Sequence, residues 1–229
     1  MIKLIALLAM FVDHLGLVFF PDSFIFRIIG RMSMPLFAYC IARGFYYSQQ
    51  RGSFRKYILN MLVFALISQL PYYMMDGNSL NIGFTWLFSL LLLSAAVKVR
   101  ETMKDAEDKL EVICKAILGF SFILAASHHL PIDYDMYGVI TPLFFYMLIV
   151  RNKETTANYV FALLAGWALY VFLEEGSPGS MAQLISVASA FVLTVSKPLD
   201  SKIRMPKWFF YAFYPAHIAI LVFIKELCF

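Results

Sequence analysis

The sequence is poor in charged residues. Asp, Glu, Lys and Arg make up 15% of the 229 residues, whereas 61% are hydrophobic and 17% are aromatic. Soluble domains carry charge on roughly a quarter of their residues, so this composition predicts an integral membrane protein. Only short segments separate the apolar runs, which leaves no room for a separate soluble domain. Residues 1–229 are therefore expected to form one membrane domain.

Cysteine is scarce as well. The three cysteines, Cys40, Cys114 and Cys228, lie far apart and lack the paired spacing of a zinc or redox motif. The sequence also has no phosphate-binding glycine loop, no G-x-S-x-G elbow and no DNA-reading pattern. Any chemistry is therefore expected among the membrane helices themselves.

Nine apolar runs are long enough, or nearly so, to cross a membrane. They lie near residues 2–20, 28–47, 57–75, 82–99, 112–129, 137–150, 158–174, 180–196 and 208–226. If the N-terminus is cytoplasmic, every Lys and Arg except Arg27, Arg31 and Lys225 falls on the cytoplasmic side. The positive-inside rule thus predicts an all-α bundle of about nine transmembrane helices with the N-terminus inside and the C-terminus outside. The net charge of +4 then reflects topology, and no nucleic-acid partner is expected.

The first apolar run contains an acidic residue and a histidine, Asp13 and His14. An ionisable side chain near a helix centre costs about 2.5–3.5 kcal/mol on insertion scales, so both are candidate functional residues. Asp13 shares a face with Ala6, Ala9 and Gly16, a small-residue stripe that predicts close contact with another helix. His14 points about 100° away from Asp13, so each side chain needs a partner on another helix.

Polar residues of other runs are predicted to meet His14 in one pocket. Arg31 is the predicted partner of Asp13, and His217 shares a helix face with Tyr214. The predicted substrate-binding residues are Gln69, Asn81, Thr85, Tyr214 and Asp133. Hydrogen bonding between helices or helix capping is an equally good explanation for the amides and the threonine.

One polar loop resembles a set of metal ligands. It contains His128, His129, Asp133 and Asp135, but neighbouring histidines on a helix diverge and no ligand spacing is defined. The sequence therefore favours a polar lid over the bundle, and no metal site is predicted.

Six segments together resemble the TraX family, typified by the enzyme that acetylates the N-terminal amine of conjugative pilin. They are "KLIALLAMFVDHLG", "GRMSMPLFAYCIARGF", "KYILNMLVFALISQLPYY", "NIGFTWLF", "DYDMYGVITPLFFY" and "WFFYAFYPAHIAIL". The resemblance implies a multi-pass acyltransferase of the bacterial inner membrane. It would take acetyl from acetyl-CoA at the cytoplasmic face and transfer it to an amine near the outer face.

Acyl transfer to an amine needs a proton acceptor and donors for the oxyanion. His14 is expected to act as the base or to carry the acyl group, with His217 the next candidate. Arg31, Gln69 or Asn81 could stabilise the oxyanion, and the basic residues Arg43, Arg55 and Lys56 are predicted to bind the phosphates of coenzyme A. The alternative is a proton-coupled small-molecule transporter, against which the odd number of runs and the lack of inverted halves both count. A scaffold protein would leave the buried ionisable residues unexplained.

Overall fold

The protein is built from long helices. The computed structural model describes residues 2–151, 163–166, 168–170, 172–173, 176, 181–182, 184, 186–187 and 206–228. The helices are α1 (Ile2–Phe19), α2 (Phe24–Arg31), α3 (Ser33–Gln50), α4 (Phe54–Asp76), α5 (Ile82–Asp105), α6 (Lys109–His129), α7 (Asp135–Arg151) and a last helix, Lys207–Cys228.

Local sequence signals set several helix ends. The carboxylate of Asp108 accepts hydrogen bonds from the backbone N–H groups of Leu110 and Glu111 and so caps α6. The side chain of Asn81 caps α5 by accepting from the N–H of Gly83. α4 ends at Gly77, whose φ of 84° lies in the left-handed region that glycine adopts without strain.

Three connections lie together at one end of the bundle, which we call the connector end. They are residues 20–23 between α1 and α2, 77–81 between α4 and α5, and 130–134 between α6 and α7. Two backbone hydrogen bonds join the second and third of them: Leu80 donates to the carbonyl of Pro131, and Asp133 donates to the carbonyl of Leu80. Two of the three connections at the connector end are therefore hydrogen-bonded to each other.

The main apolar core lies where α3, α5 and α7 meet. Phe45, Leu90, Leu93 and Phe145 are fully buried there. A second buried cluster joins α1, α4 and the last helix, and its members are Leu7, Met10, Tyr72, Tyr214, Ile218 and Val222. Because lipid is as apolar as these side chains, close packing rather than water exclusion holds such helices together.

The closest helix contacts occur between α1 and α2. A Cβ atom added to Gly30 would lie 2.2 Å from atoms of Asp13, and one added to Gly16 would lie 2.3 Å from the Cβ of Phe26. Real Cβ contacts are never this short, so both glycines are needed for this approach. The small-residue stripe of α1 is thus a packing face, as its sequence predicted.

The all-helical membrane architecture is confirmed. Within the described ranges, six helices are long and apolar enough to cross a membrane, α2 and α3 counting as one run, Phe24–Gln50. α7 corresponds to the predicted run at 137–150 and has 17 residues. The predicted runs at 158–174 and 180–196 fall only partly within the described residues. The total of nine spans and the inward N-terminus stay predictions.

Candidate functional site

Two histidines from the two ends of the chain meet inside the bundle. His14 of α1 and His217 of the last helix are both buried, and His14 Nδ1 lies 2.7 Å from His217 Nε2. The ring planes differ by only 6°, and the centroids are 4.9 Å apart. The distance between the centroids is longer than the N–N distance by about two ring radii. The two rings therefore lie side by side in nearly the same plane, with their nitrogen-bearing edges facing each other. This geometry is that of an in-line N–H···N hydrogen bond.

A backbone carbonyl fixes the direction of this hydrogen bond. His217 Nδ1 lies 2.7 Å from the carbonyl oxygen of Phe213, which can only accept. In the neutral pair, His217 Nδ1 therefore carries a proton and His217 Nε2 accepts one from His14 Nδ1. The remaining nitrogen, His14 Nε2, is left with an available lone pair, which is what a general base requires.

Aromatic rings surround the histidine pair. Tyr214 packs edge-on against His14 with a centroid distance of 5.7 Å, and Phe11 packs in the same way against His217 at 5.9 Å. The Tyr214 side chain is itself buried. These contacts hold both imidazoles in place and put one phenol next to His14.

Asp13 is paired with an arginine other than the one predicted. Arg27 Nη1 lies 3.4 Å from Asp13 Oδ1. The guanidinium of Arg31 instead lies over the ring of Tyr134, 4.6 Å from its centroid, with Asp133 and Asp13 as charged neighbours. The predicted direct Asp13–Arg31 ion pair is therefore wrong: Arg27, one helical turn earlier, makes the contact, and Arg31 is a nearby charge.

Asp133 is held in place by its backbone. Its N–H donates to the carbonyl of Leu80 at 3.1 Å, and its carbonyl accepts from Thr85 Oγ1 at 2.7 Å. Burial raises the pKa of Asp133 to about 7, and the Arg31 guanidinium opposes that shift. The two following residues, Tyr134 and Asp135, have positive φ values of 63° and 43°, which non-glycine residues rarely adopt. Such strain is typical of functional loops.

The predicted substrate-binding amides make hydrogen bonds within the protein. Gln69 Oε1 accepts from both nitrogens of Asn81, its backbone N and its Nδ2, while Gln69 Nε2 donates to the carbonyl of Ser79. Asn81 Nδ2 also donates to the carbonyl of Ala65. We call this set the amide lock, because it ties α4 to the start of α5. A substrate-binding role for Gln69, Asn81 and Thr85 stays a prediction that no contact with the cavity supports.

A cavity of about 1480 Å³ connects the histidine site with the opposite end of the bundle. Its lining at the connector end includes Asp13, His14, Asp133, Tyr134 and Tyr214. At the far end the lining includes three basic residues, Lys3, Arg51 and Lys56. The cavity therefore joins an acidic and imidazole-bearing end to a basic one.

Only one of the three predicted phosphate-binding residues lines this cavity. Lys56 does so, whereas Arg43 lies over the ring of Tyr47 and Arg55 is exposed and is not part of the lining. Sequence reasoning missed Lys3 and Arg51 for this role. Their position at the same side as Lys56 was visible in the charge pattern, but nothing in the sequence showed which basic side chains turn inward.

The polar loop is organised around one side-chain contact. His128 Nδ1 lies 2.9 Å from Asp135 Oδ2, and the two side chains are 57% and 50% exposed. In the part of the chain that the structure describes, no group of three or more His, Cys, Asp or Glu residues is arranged to hold a metal ion. Of the loop residues considered for a metal, only Asp133 lines the cavity.

Comparison with known proteins gives the family. The sequence profile described as "TraX protein" matches residues 1–225. The chain belongs to the TraX family. It is 28% identical over 255 residues to the "Probable fimbrial assembly protein FimC, serogroup H1" of Dichelobacter nodosus, covering 98% of this chain and 94% of that protein. It is also 44% identical over 46 residues to the "Uncharacterized protein RP591" of Rickettsia prowazekii (strain Madrid E), covering 20% and 18% of the two chains. No solved structure matches this TraX-family chain.

Proposed function

We propose that this TraX-family protein is a membrane N-acetyltransferase that moves acetyl from acetyl-CoA to the N-terminal amine of a pilin-type subunit. The observation that carries the proposal is the hydrogen-bonded series from Phe213 through His217 to His14, which leaves His14 Nε2 free to accept a proton at the cavity wall. The family and the name of the fimbrial relative support the choice of acceptor.

In the proposed reaction His14 acts as the general base. The acceptor ammonium first releases one proton to water. The neutral amine then loses its second proton to His14 Nε2 while its nitrogen attacks the thioester carbonyl, so a C–N bond forms. The C–S bond then breaks, and the proton passes from His14 to the departing thiolate, which leaves as free coenzyme A. His217 holds the correct tautomer of His14 throughout. The buried phenol of Tyr214, which packs against His14, is the donor that we assign to the oxyanion.

The basic end of the cavity is the proposed binding site for coenzyme A. Lys3, Arg51 and Lys56 line it together, and cations of this kind bind phosphates through charge-assisted hydrogen bonds. If the N-terminus is cytoplasmic, as the charge pattern predicts, this end opens where acetyl-CoA is present. The reaction would then join a cytoplasmic donor to an acceptor at the opposite face of the bacterial inner membrane.

The direct test is an acetyl-transfer assay with purified protein in lipid nanodiscs. The protein is incubated with acetyl-CoA and with peptides that carry a free N-terminus, and the products are identified by mass spectrometry. His14→Ala should lower the rate by about 10²–10⁴-fold, the usual contribution of general acid–base catalysis. The matched control is His128→Ala, which removes an exposed histidine outside the cavity. Equal rates for the two variants would remove His14 from the chemistry.

The coenzyme A site can be tested with two neighbouring residues. Lys56 lines the cavity and Arg55 does not, although both are exposed basic side chains of α4. Lys56→Ala should raise the KM for acetyl-CoA with little change in kcat, because a phosphate contact is made equally in the ground and transition states. Arg55→Ala should leave both constants near those of the native protein. An equal effect of the two changes would mean that only surface charge matters.

A further inference from the structure

The cavity has an opening in its side. Seven residues of α4 line the cavity and are also exposed on the outside of the described bundle: Lys56, Leu59, Asn60, Val63, Ile67, Leu70 and Met74. The same is true of four residues on the last helix: Trp208, Ala212, Ala216 and Ala219. A side chain meets both conditions only at the rim of an opening. Among the described residues, the cavity therefore opens sideways between α4 and the last helix, and we call this opening the side slot.

The side slot faces the hydrocarbon part of a membrane. Both helices that border it are long and apolar enough to span a bilayer. Apart from Lys56 and Asn60 at the basic end, its rim is apolar, and the alanines on the last helix leave space where larger side chains would fill it. An unpaired polar group in hydrocarbon costs several kcal/mol, so the part of a molecule that lies in this opening must be apolar.

The charges inside the cavity indicate what such a molecule carries. Asp13 and Asp133 line the end next to His14, while Lys3, Arg51 and Lys56 line the other end. A primary ammonium group is attracted to the first end and repelled by the second. The Asp13 carboxylate is already paired with Arg27. Asp133 makes no ion pair within 4 Å among the described residues, although the Arg31 guanidinium is a charged neighbour. Its backbone is fixed by Leu80 and Thr85, and a bound ammonium would favour its ionised form, so Asp133 is the better placed of the two carboxylates to receive the ammonium.

We propose that the acceptor reaches the site from within the membrane. Its apolar segment lies in the side slot between α4 and the last helix, and its N-terminal ammonium is held by Asp133 beside His14. This inference rests on the proposed acetyl transfer, since it names the route and the binding group of that acceptor. A membrane lipid is the other occupant that an apolar slot admits, and the experiment below separates the two.

Photo-crosslinking tests the slot without any need for acetyl transfer. A photoreactive residue replaces Ile67 in one variant of the full chain and Leu66 in another; these neighbours are similarly exposed, at 62% and 58%, but only Ile67 lines the cavity. The probe is a peptide with a free N-terminal glycine, about 20 apolar residues and a lysine tail, in nanodiscs without acetyl-CoA. Position 67 should crosslink the peptide and position 66 should not. Equal yields, or crosslinks to lipid alone at both positions, would overturn the proposal.

The role of Asp133 is tested with the same crosslink. Asp133→Asn should reduce the yield at position 67 by about tenfold at sub-saturating peptide, as expected for the loss of one charged hydrogen bond. The same peptide with an acetylated N-terminus should crosslink weakly to the native protein and be unaffected by Asp133→Asn. An identical yield for the free and acetylated peptides would show that the ammonium is not recognised.

A bulky residue in the slot gives an independent kinetic test. Ala216→Phe should raise the KM for the apolar peptide and leave the KM for acetyl-CoA unchanged, whereas Ala125→Phe on the exposed face of α6, away from the cavity, should change neither. Unchanged KM values for Ala216→Phe would exclude entry through the slot. Crosslinking at position 67 without any acetylated product would instead retain the slot and contradict the proposed reaction.

Discussion

The amide lock and the histidine pair are two polar clusters within one apolar bundle. In the lock, Gln69 and Asn81 satisfy each other and the backbone carbonyls of Ala65 and Ser79. In the pair, the hydrogen bonds run one way from His14 to His217 and end at Phe213. The hydrogen-bonding groups of the lock therefore stabilise the fold. The pair leaves one imidazole nitrogen of His14, a residue that lines the cavity, without a hydrogen bond.

This difference separates structural from chemical use of buried polar groups. A buried amide costs stability unless it is paired, so a fully paired one needs no further explanation. A buried histidine with one nitrogen fixed and the other facing a cavity is arranged for proton transfer. The comparison predicts that changes in the pair affect activity, and that changes in the lock affect stability.

Removing the second histidine should give the largest effect among these tests. His217→Leu deletes the acceptor that orients His14, and partners of this kind typically contribute about 10–100-fold. His217→Gln should recover part of the activity, because its amide oxygen can accept from His14 Nδ1. Steady-state kinetics would show a lower kcat with an unchanged KM for acetyl-CoA. A Gln variant no better than Leu would mean that His217 only fills space.

Crowding the α1–α2 contact should lower stability by about 1–3 kcal/mol, the usual cost of overpacking. Gly30→Ala puts a methyl group against Asp13, whereas Gly119→Ala on α6 meets nothing within 4 Å. Unfolding in mixed detergent would compare the two variants. Gly119→Ala should be neutral or slightly stabilising, because alanine is the better helix former. Equal stability of both variants would contradict the close contact at Asp13.

Opening the amide lock should cost about 1–2 kcal/mol, the range for polar contacts between membrane helices. Asn81→Ala removes the α5 cap together with the donors to Gln69 and Ala65. Asn81→Asp keeps the cap acceptor for Gly83 but turns a carboxylate oxygen toward two acceptors, Gln69 Oε1 and the Ala65 carbonyl, so it should destabilise at least as much. Both variants should unfold more readily yet keep the native kcat per folded molecule. A large loss of kcat at full folding would place Asn81 in the chemistry after all.

The sequence predicted the helices and the functional candidates better than it predicted which side chains contact each other. Asp13, His14 and His217 stood out because ionisable residues inside apolar runs are costly, and the structure brings both histidines together. The sequence could not show that Arg27 rather than Arg31 contacts Asp13, because the two arginines share one helix face. Nor could it show that Lys3 and Arg51, rather than Arg43 and Arg55, line the cavity. Those choices depend on how the helices rotate and cross.

A pH series on Asp133 would test the charge of the connector end. Asp133 holds its proton in the folded protein up to about pH 7, whereas an exposed aspartate releases its proton near pH 4. The folded state therefore binds more protons between these values, and the free energy of unfolding should fall as the pH rises through that window and then level off. The charged groups that act on this carboxyl are Arg31, Asp13, Asp76 and Arg27.

Asp133→Asn should remove that slope and leave any contribution from the other groups. The matched control is Asp22→Asn, which changes an exposed carboxyl of the 20–23 connection that does not line the cavity. Urea or detergent unfolding followed between pH 4 and pH 8 would measure both slopes. If Asp133→Asn kept the native slope, the carboxyl would be ionised in the folded protein across the whole range. Its protonation would then contribute nothing to the stability of the folded protein.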